Sequence, residues 1–69
     1  MPTMNIVLNG APHEIDGTQT IAELVLELNL GAKRFAVEVN EHIIPRGQHQ
    51  QHQLQEGDVV EIVVAIGGG

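Results

Sequence analysis

The sequence has 69 residues, of which nine are acidic, three are Lys or Arg and none is Cys, and its formal net charge at pH 7 is -6. A chain of this length forms one domain at most, and the lack of Cys excludes disulfides, cysteine zinc sites and thiol catalysis. The acidic balance argues against nucleic acid as a partner, since phosphate binding needs clustered Lys and Arg, and favours a basic protein surface.

The first segment predicts a β-hairpin. The apolar residues 6–8 lead into Asn9-Gly10, a dipeptide typical of type I′ turns because both central residues of such a turn need a positive φ. A short return strand is expected over residues 13–16, with Ile15 as its only large apolar side chain.

The stretch "TIAELVLELNLG" predicts a helix. Thr20 can cap its N-terminus, while Glu23, three residues on, can reach back to the Thr20 amide. One apolar stripe follows at helical spacing: Ile21, Leu24, Val25 and Leu28. At the other end, Leu30 suits the hydrophobic contact and Gly31 the left-handed residue that terminate a helix.

Two strands and a loop are expected next. "RFAVEVN" alternates and predicts a half-buried strand, with Phe35 as a core residue. "EHIIPR" indicates a short edge segment, because Pro45 cannot donate to a ladder. The polar stretch "GQHQQHQLQEGD" indicates a loop or short helical turn with Leu54 as its anchor.

The last segment, "VVEIVVAI", is apolar at every position except Glu61. Such a run predicts a central strand that is covered on both faces. The simplest packing places it beside the first strand, in a mixed sheet of four to five strands with the helix packed across one face. The fold class is therefore α+β.

Three glycines close the sequence. We expect residues 1–66 to form the single domain and residues 67–69 a flexible tail. Such a tail can be idle, since termini are commonly disordered. It can also thread a terminal carboxylate into the narrow site of another protein, because residues without a Cβ allow close approach. In a site that holds ATP, that carboxylate would become an acyl adenylate.

Several motifs together resemble one known family. The length, the "NG" hairpin, "TIAEL", "AVEVNEHIIPR", "EGDVVEIV" and "AIGGG" are similar to the ThiS family, the sulfur carriers of thiamine biosynthesis, which have the ubiquitin-like β-grasp fold. The resemblance covers the chain from Met4 onward. It departs from the best-known members in ending on three glycines instead of two.

The resemblance implies a carrier that is not itself an enzyme and binds no cofactor. An E1-like adenylyltransferase (ThiF-like) would use ATP to adenylate the Gly69 carboxylate. A persulfide, with a cysteine desulfurase as its sulfur source, would convert this adenylate to a thiocarboxylate. A thiazole synthase (ThiG-like) would then take the sulfur. Ile66, Gly67 and Gly68 would form the part of the tail that partners bind.

Alternative functions stay open at this point. The molybdopterin synthase small subunit carries sulfur in the same way, and a ubiquitin-like modifier would join its activated carboxylate to a lysine of a target. A plain interaction module of the same fold would not use the tail at all.

Several other side chains are candidate sites. His49 and His52, with His42 or His13, could hold a metal, but a solvated polar loop is the favoured interpretation, and His13 is expected at the surface. Arg46 fits a partner contact or a role in holding the loop. Three apolar residues could form a docking patch on the exposed sheet face or could be core: Ile44, Val64 and Ile66.

The sequence also bears on where the protein works. No apolar run approaches the roughly 20 residues that cross a bilayer. The N-terminal residues "MPTMNIVLNG" lack the basic region and long apolar stretch of a secretory signal. We therefore expect a cytoplasmic protein that does not use the membrane.

Overall fold

A computed structural model describes residues 2–17, 19–31 and 33–65. Its elements are β1 (Thr3–Leu8), β2 (Ala11–Asp16), helix α1 (Ile21–Leu28), β3 (Phe35–Val39), β4 (His42–Ile44), a 3-10 turn (Arg46–Gln48) and β5 (Val59–Val64). The strands form one sheet in the order β2-β1-β5-β3-β4. Strands β1 and β5 are parallel, and the other neighbouring pairs are antiparallel. The expected mixed sheet, with the first and last strands side by side, is confirmed.

Both hairpins turn through two residues with positive φ. Asn9 and Gly10 have φ of 50° and 84°, which confirms the predicted type I′ turn. Asn40 and Glu41 have φ of 51° and 71° and form a second turn of this kind, which was not predicted because Glu is not a typical turn residue.

The two turn asparagines also attach their hairpins to β5. The Asn9 side-chain oxygen accepts the amide of Ile62 at 2.8 Å, and the Asn40 side-chain oxygen accepts the amide of Val59 at 3.0 Å. Each bond extends a ladder beyond the last paired residue of the neighbouring strand. The central strand is therefore held from both sides where regular pairing stops.

The helix begins as the sequence predicts and ends earlier. The Thr20 hydroxyl accepts the Glu23 amide at 3.2 Å, and the Glu23 carboxylate accepts the Thr20 amide at 2.8 Å, so the capping box is confirmed. The helix ends at Leu28, and Asn29, with φ of 56°, is the left-handed residue that terminates it. Assigning that role to Gly31 was wrong, because Asn also tolerates the left-handed region.

The helix lies against one face of the sheet and closes a small core. Its buried members come from the strands, the helix and the loop before β5: Ile6, Ile15, Ile21, Leu24, Val37, Val39, Leu54, Val60 and Ile62. Phe35, which the sequence predicts as a core residue, is only partly buried and packs against this cluster.

Strand β5 differs from its prediction in one respect. It is the middle strand of the sheet, but its residues alternate between buried and exposed. Val60 is fully buried, whereas Val59 and Val63 are 45% and 63% exposed. The prediction of two covered faces was wrong, because the apolar run hides an ordinary alternation with one face toward the helix.

The polar loop after the 3-10 turn is fastened to the helix N-terminus. The carbonyl oxygens of His52 and His49 accept the amides of Ile21 and Ala22 at 3.0 Å each. These amides belong to the first turn, which has no partner within the helix itself. Leu54 is buried, which confirms it as the anchor of the loop.

Candidate functional site

In the sequence, the predicted working residues 66–69 follow the central strand after one residue, Ala65. Beyond the end of β5, the Ala65 amide donates to the carbonyl oxygen of Arg34 at 2.9 Å. The pair Phe35 and Val64 lies just before this bond in the ladder of β3 and β5. The chain is therefore positioned by the sheet as far as Ala65.

The end of β5 projects past the first hairpin. The parallel ladder with β1 pairs Val7 with Val59 and Leu8 with Val60, and β1 then turns away. Within the described part of the chain, the last residues of β5 have only β3 as a strand neighbour. Ile66, Gly67, Gly68 and Gly69, the predicted tail and modification site, lie outside the described residues.

The sheet face opposite the helix carries an exposed apolar patch. Ile43 is 70% exposed. It shares this face with Val59 and Val63, because alternate residues of a strand point to the same side. We call these three residues and the two carboxylates between them, Glu38 and Glu61, the open face.

Glu38 and Glu61 are direct partners across β3 and β5. Side chains at paired positions lie on the same face, and like charges directly opposite each other are destabilising. The open face therefore combines exposed apolar surface with two carboxylates whose mutual repulsion lowers the stability of the fold.

Of the two alternatives left open by the sequence for Ile44 and Val64, the structure favours the core, and Ile66 lies outside the described residues. Ile44 packs against the core, and Val64 is on the same side of β5 as the buried Val60 and Ile62. Their neighbours Ile43 and Val63 are the exposed ones. Sequence patterns cannot separate them, since each member of the pair is a β-branched apolar residue in an apolar run.

The histidines do not form a metal site. No group of three or more His, Asp or Glu side chains among residues 2–17, 19–31 and 33–65 could hold a metal ion. His49 is buried, and its Nε2 lies 2.9 Å from the carbonyl oxygen of Ile44. Its assignment to a solvated loop was wrong, because the attachment of that loop to the helix turns it inward.

The other histidines are placed separately. His42 is exposed, with its Nδ1 3.1 Å from the Asn40 carbonyl oxygen, and His52 is half-buried. His13 is also half-buried, and its Nε2 is enclosed without a hydrogen-bond partner among the described residues. Its expected place at the surface was therefore wrong, since Ile6 opposite it on β1 is a core residue.

Arg46 has a structural contact. Its guanidinium carbon lies 5.3 Å from the centroid of the Phe35 ring, and His49 stacks on that ring at 6.1 Å with 24° between the planes. Both alternatives for Arg46 therefore stay relevant, because the contact holds the 3-10 turn and also fixes a cation at the surface.

Helix α1, the α-helix of the described residues, is too short to cross a membrane.

The chain matches a family model described as the ThiS family over residues 6–69. It is 36% identical over 66 residues to a thiazole synthase of Paramagnetospirillum magneticum, a match that covers 96% of this chain and 20% of that protein. The chain thus spans about a fifth of the length of that relative.

Two further relatives are matched along their whole length. The sulfur carrier protein ThiS of Escherichia coli is 33% identical over 66 residues, which covers 96% of this chain and 100% of that protein. The crystal structure of the thiamine biosynthesis protein ThiS from Geobacter metallireducens superposes with a TM-score of 0.79 at 30% identity, covering 96% of this chain and 100% of that one.

Proposed function

Because the chain belongs to the ThiS family of sulfur carrier proteins, we propose that it carries sulfur on the Gly69 carbonyl and delivers it to a thiazole ring in thiamine biosynthesis. The observation that carries this proposal is the fixed position of Ala65. Its amide bonds to the Arg34 carbonyl oxygen at the end of the central strand, and in the sequence Ala65 is followed by Ile66 and the three glycines. A partner that binds the folded body thereby receives the tail at a defined place.

The chemistry needs activation of the carboxylate first. An oxygen of the Gly69 carboxylate attacks the α-phosphorus of ATP, forming an acyl adenylate and releasing pyrophosphate. The terminal sulfur of a persulfide then attacks the acyl carbon and expels AMP, which gives an acyl disulfide. A second thiol cleaves that disulfide, leaving the thiocarboxylate on the carrier and a disulfide on the donor side.

This chain supplies no catalytic group to those steps. It has no Cys, so the sulfur cannot be held on a side-chain thiol, and the terminal carbonyl is the position that the chemistry uses. ATP and the persulfide are substrates of the partner enzymes, and the cytoplasmic location is part of the proposal. The carrier is a protein co-substrate in this scheme.

Two partner enzymes follow from the scheme: an E1-like adenylyltransferase, supplied with sulfur by a cysteine desulfurase, and a thiazole synthase. Similarity to a fifth of a thiazole synthase supports the second partner. In that protein, a segment similar to this chain belongs to a polypeptide named thiazole synthase. Such a fusion is expected where a carrier and a synthase act together.

The open face is the proposed docking surface for a partner. A glycine tail loses conformational freedom when it enters a site, so the folded body must supply part of the binding energy. Val63 and Ile43 offer exposed apolar area. A basic partner surface would offset the repulsion between the paired carboxylates of Glu38 and Glu61.

The first experiment is the intact mass of the protein after incubation with an E1-like adenylyltransferase, ATP and a persulfide donor. We expect a gain equal to the exchange of one oxygen for one sulfur, located on Gly69 by fragmentation. The matched control carries one added alanine after Gly69, which blocks the carboxylate of glycine while leaving residues 1–69 unchanged.

The control protein should fold as the original does and show no mass gain. An adenylyltransferase that is active on a known ThiS protein but leaves this chain unchanged contradicts the proposal. Equal sulfur gain on the control protein contradicts the assignment to Gly69.

A further inference from the structure

A cavity of about 460 Å³ opens between the end of α1, the start of β3 and the 3-10 turn. Its walls include three cations and three apolar residues: Lys33, Arg34, Arg46, Val25, Leu26 and Phe35. These cations are all the Lys and Arg residues of the sequence, which has nine acidic residues. No carboxylate occurs among the described lining residues. An acidic protein thus places its whole complement of Lys and Arg around one concave site.

The cations of this cavity are available to an outside ligand. Among the described residues, no side-chain hydrogen bond has Lys33, Arg34 or Arg46 as its donor. Arg46 is also held in place, since it lies over the Phe35 ring, which His49 supports by stacking. A guanidinium that is already positioned loses less freedom when it binds a carboxylate.

The apolar wall distinguishes between kinds of anion. Leu26 is 79% exposed at the mouth of the cavity, and Val25 and Phe35 continue the apolar surface inward. A small inorganic anion would leave this surface in water. A protein segment with an apolar side chain beside its carboxylates would cover the surface and pair with the cations together.

The cavity adjoins Ala65, the last described residue before the predicted tail and its neighbour Ile66. Arg34 lines the cavity, and its carbonyl oxygen accepts the Ala65 amide at 2.9 Å. A partner that takes in the tail must approach this end of β5, which brings it next to the three cations.

We infer that this cavity binds an acidic segment of the thiazole synthase that receives the tail, with carboxylates on Arg34 and Arg46 and an apolar side chain against Leu26. This inference rests on the proposed function. The contact sets the orientation of the carrier body on the synthase, and therefore the depth to which the tail enters the synthase.

The test measures the affinity of the full chain for the thiazole synthase of its own organism by isothermal titration calorimetry at two salt concentrations. Arg34→Gln removes one cation, and Leu26→Ser removes apolar surface at the mouth. Gln55→Glu is the matched control, because it makes the same change of one charge in the loop before β5, at the opposite end of that strand from Arg34.

We expect Arg34→Gln to weaken binding by about tenfold and to flatten the salt dependence, since truncating one partner of an interface charge pair commonly has at least this effect. Leu26→Ser should weaken binding without changing the salt dependence. Gln55→Glu should stay within about twofold, as expected of a charge outside the contact. Circular dichroism and the unfolding midpoint of each variant verify that the fold is unchanged.

Several results overturn the inference. If Arg34→Gln binds the synthase as tightly as the original protein does, the cavity is not part of that interface. The same conclusion follows if Arg34→Gln weakens binding to the adenylyltransferase and leaves binding to the synthase unchanged. Saturable binding of inorganic phosphate to the cavity, with synthase affinity unchanged in Arg34→Gln, makes it a site for a small anion. Failure of the original chain to bind the synthase also rejects it, and the mass measurement on Gly69 shows separately whether carrier function survives.

Discussion

The two faces of β5 carry similar aliphatic residues but differ in burial. Val60 and Ile62 are buried under α1, whereas Val59 and Val63, one position away, are exposed on the open face. Most soluble sheets with one solvated face place polar residues there. Here the outer positions are valines flanking Glu61. Residue type alone therefore does not tell core from surface, and the exposed valines need a reason other than stability.

The two faces consequently make different demands. A change on the covered face alters the free energy of unfolding, because packed atoms leave a cavity behind. A change on the open face alters little in the isolated protein, so its effect should appear only when a partner is added. Variants at neighbouring positions can separate these two contributions.

The largest effect is expected where the helix covers the sheet. Leu24→Ala should lower the free energy of unfolding by about 2–5 kcal/mol, since Leu24 is fully buried and its truncation leaves a cavity. Leu26→Ala, on the exposed side of the same helix, should change it by less than about 0.5 kcal/mol. Urea unfolding of both proteins measures the difference, and similar losses would mean that α1 does not pack as described.

A smaller effect is expected within β5 itself. Val60→Ala should destabilise the protein by about 2 kcal/mol, the combined effect of two lost methylene equivalents and the cavity that they leave. Val63→Ala, three residues on, should stay within about 0.5 kcal/mol. Comparable values in urea unfolding would show that both faces are covered, as the sequence alone suggested.

The sequence predicted the parts of this fold that depend on local chemistry. The turn at Asn9, the capping box at Thr20 and the family resemblance are all confirmed. It did not show which face of β5 is open, because burial there depends on which side of the sheet α1 covers. It also missed the inward position of His49, which follows from hydrogen bonds between distant segments.

The candidate site was predictable only in part. The glycine tail stands out in the sequence, and its role stays a prediction. The grouping of Lys33 and Arg34 with Arg46 could not be inferred from sequence spacing, because strands β3 and β4 separate Arg46 from the other two cations along the chain. The one available signal was the small number of Lys and Arg residues in an acidic chain. When so few cations lie together, their cluster is a candidate binding site.

The open face should affect binding more than stability. Replacing both Ile43 and Val63 by Ser should weaken binding to the E1-like adenylyltransferase by about tenfold, since the change removes apolar area that docking would take out of water and leaves hydroxyl groups in its place. The free energy of unfolding should change by less than about 1 kcal/mol for the pair. Calorimetric titration and urea unfolding measure the two quantities. Unchanged affinity for both partner enzymes would remove the open face from the docking surface.

The smallest expected effect has the opposite sign for stability and for binding. Glu61→Gln removes one of two carboxylates that face each other across β3 and β5, so it should raise the free energy of unfolding by about 0.2–1 kcal/mol. The same change should weaken binding to a basic partner surface and reduce its salt dependence. Glu27→Gln, on the helix away from the open face, makes an equal change in net charge and serves as the control. A gain in stability without loss of affinity would show that Glu61 is a local repulsion that docking does not use, and the basic partner surface would then have to meet the carrier elsewhere.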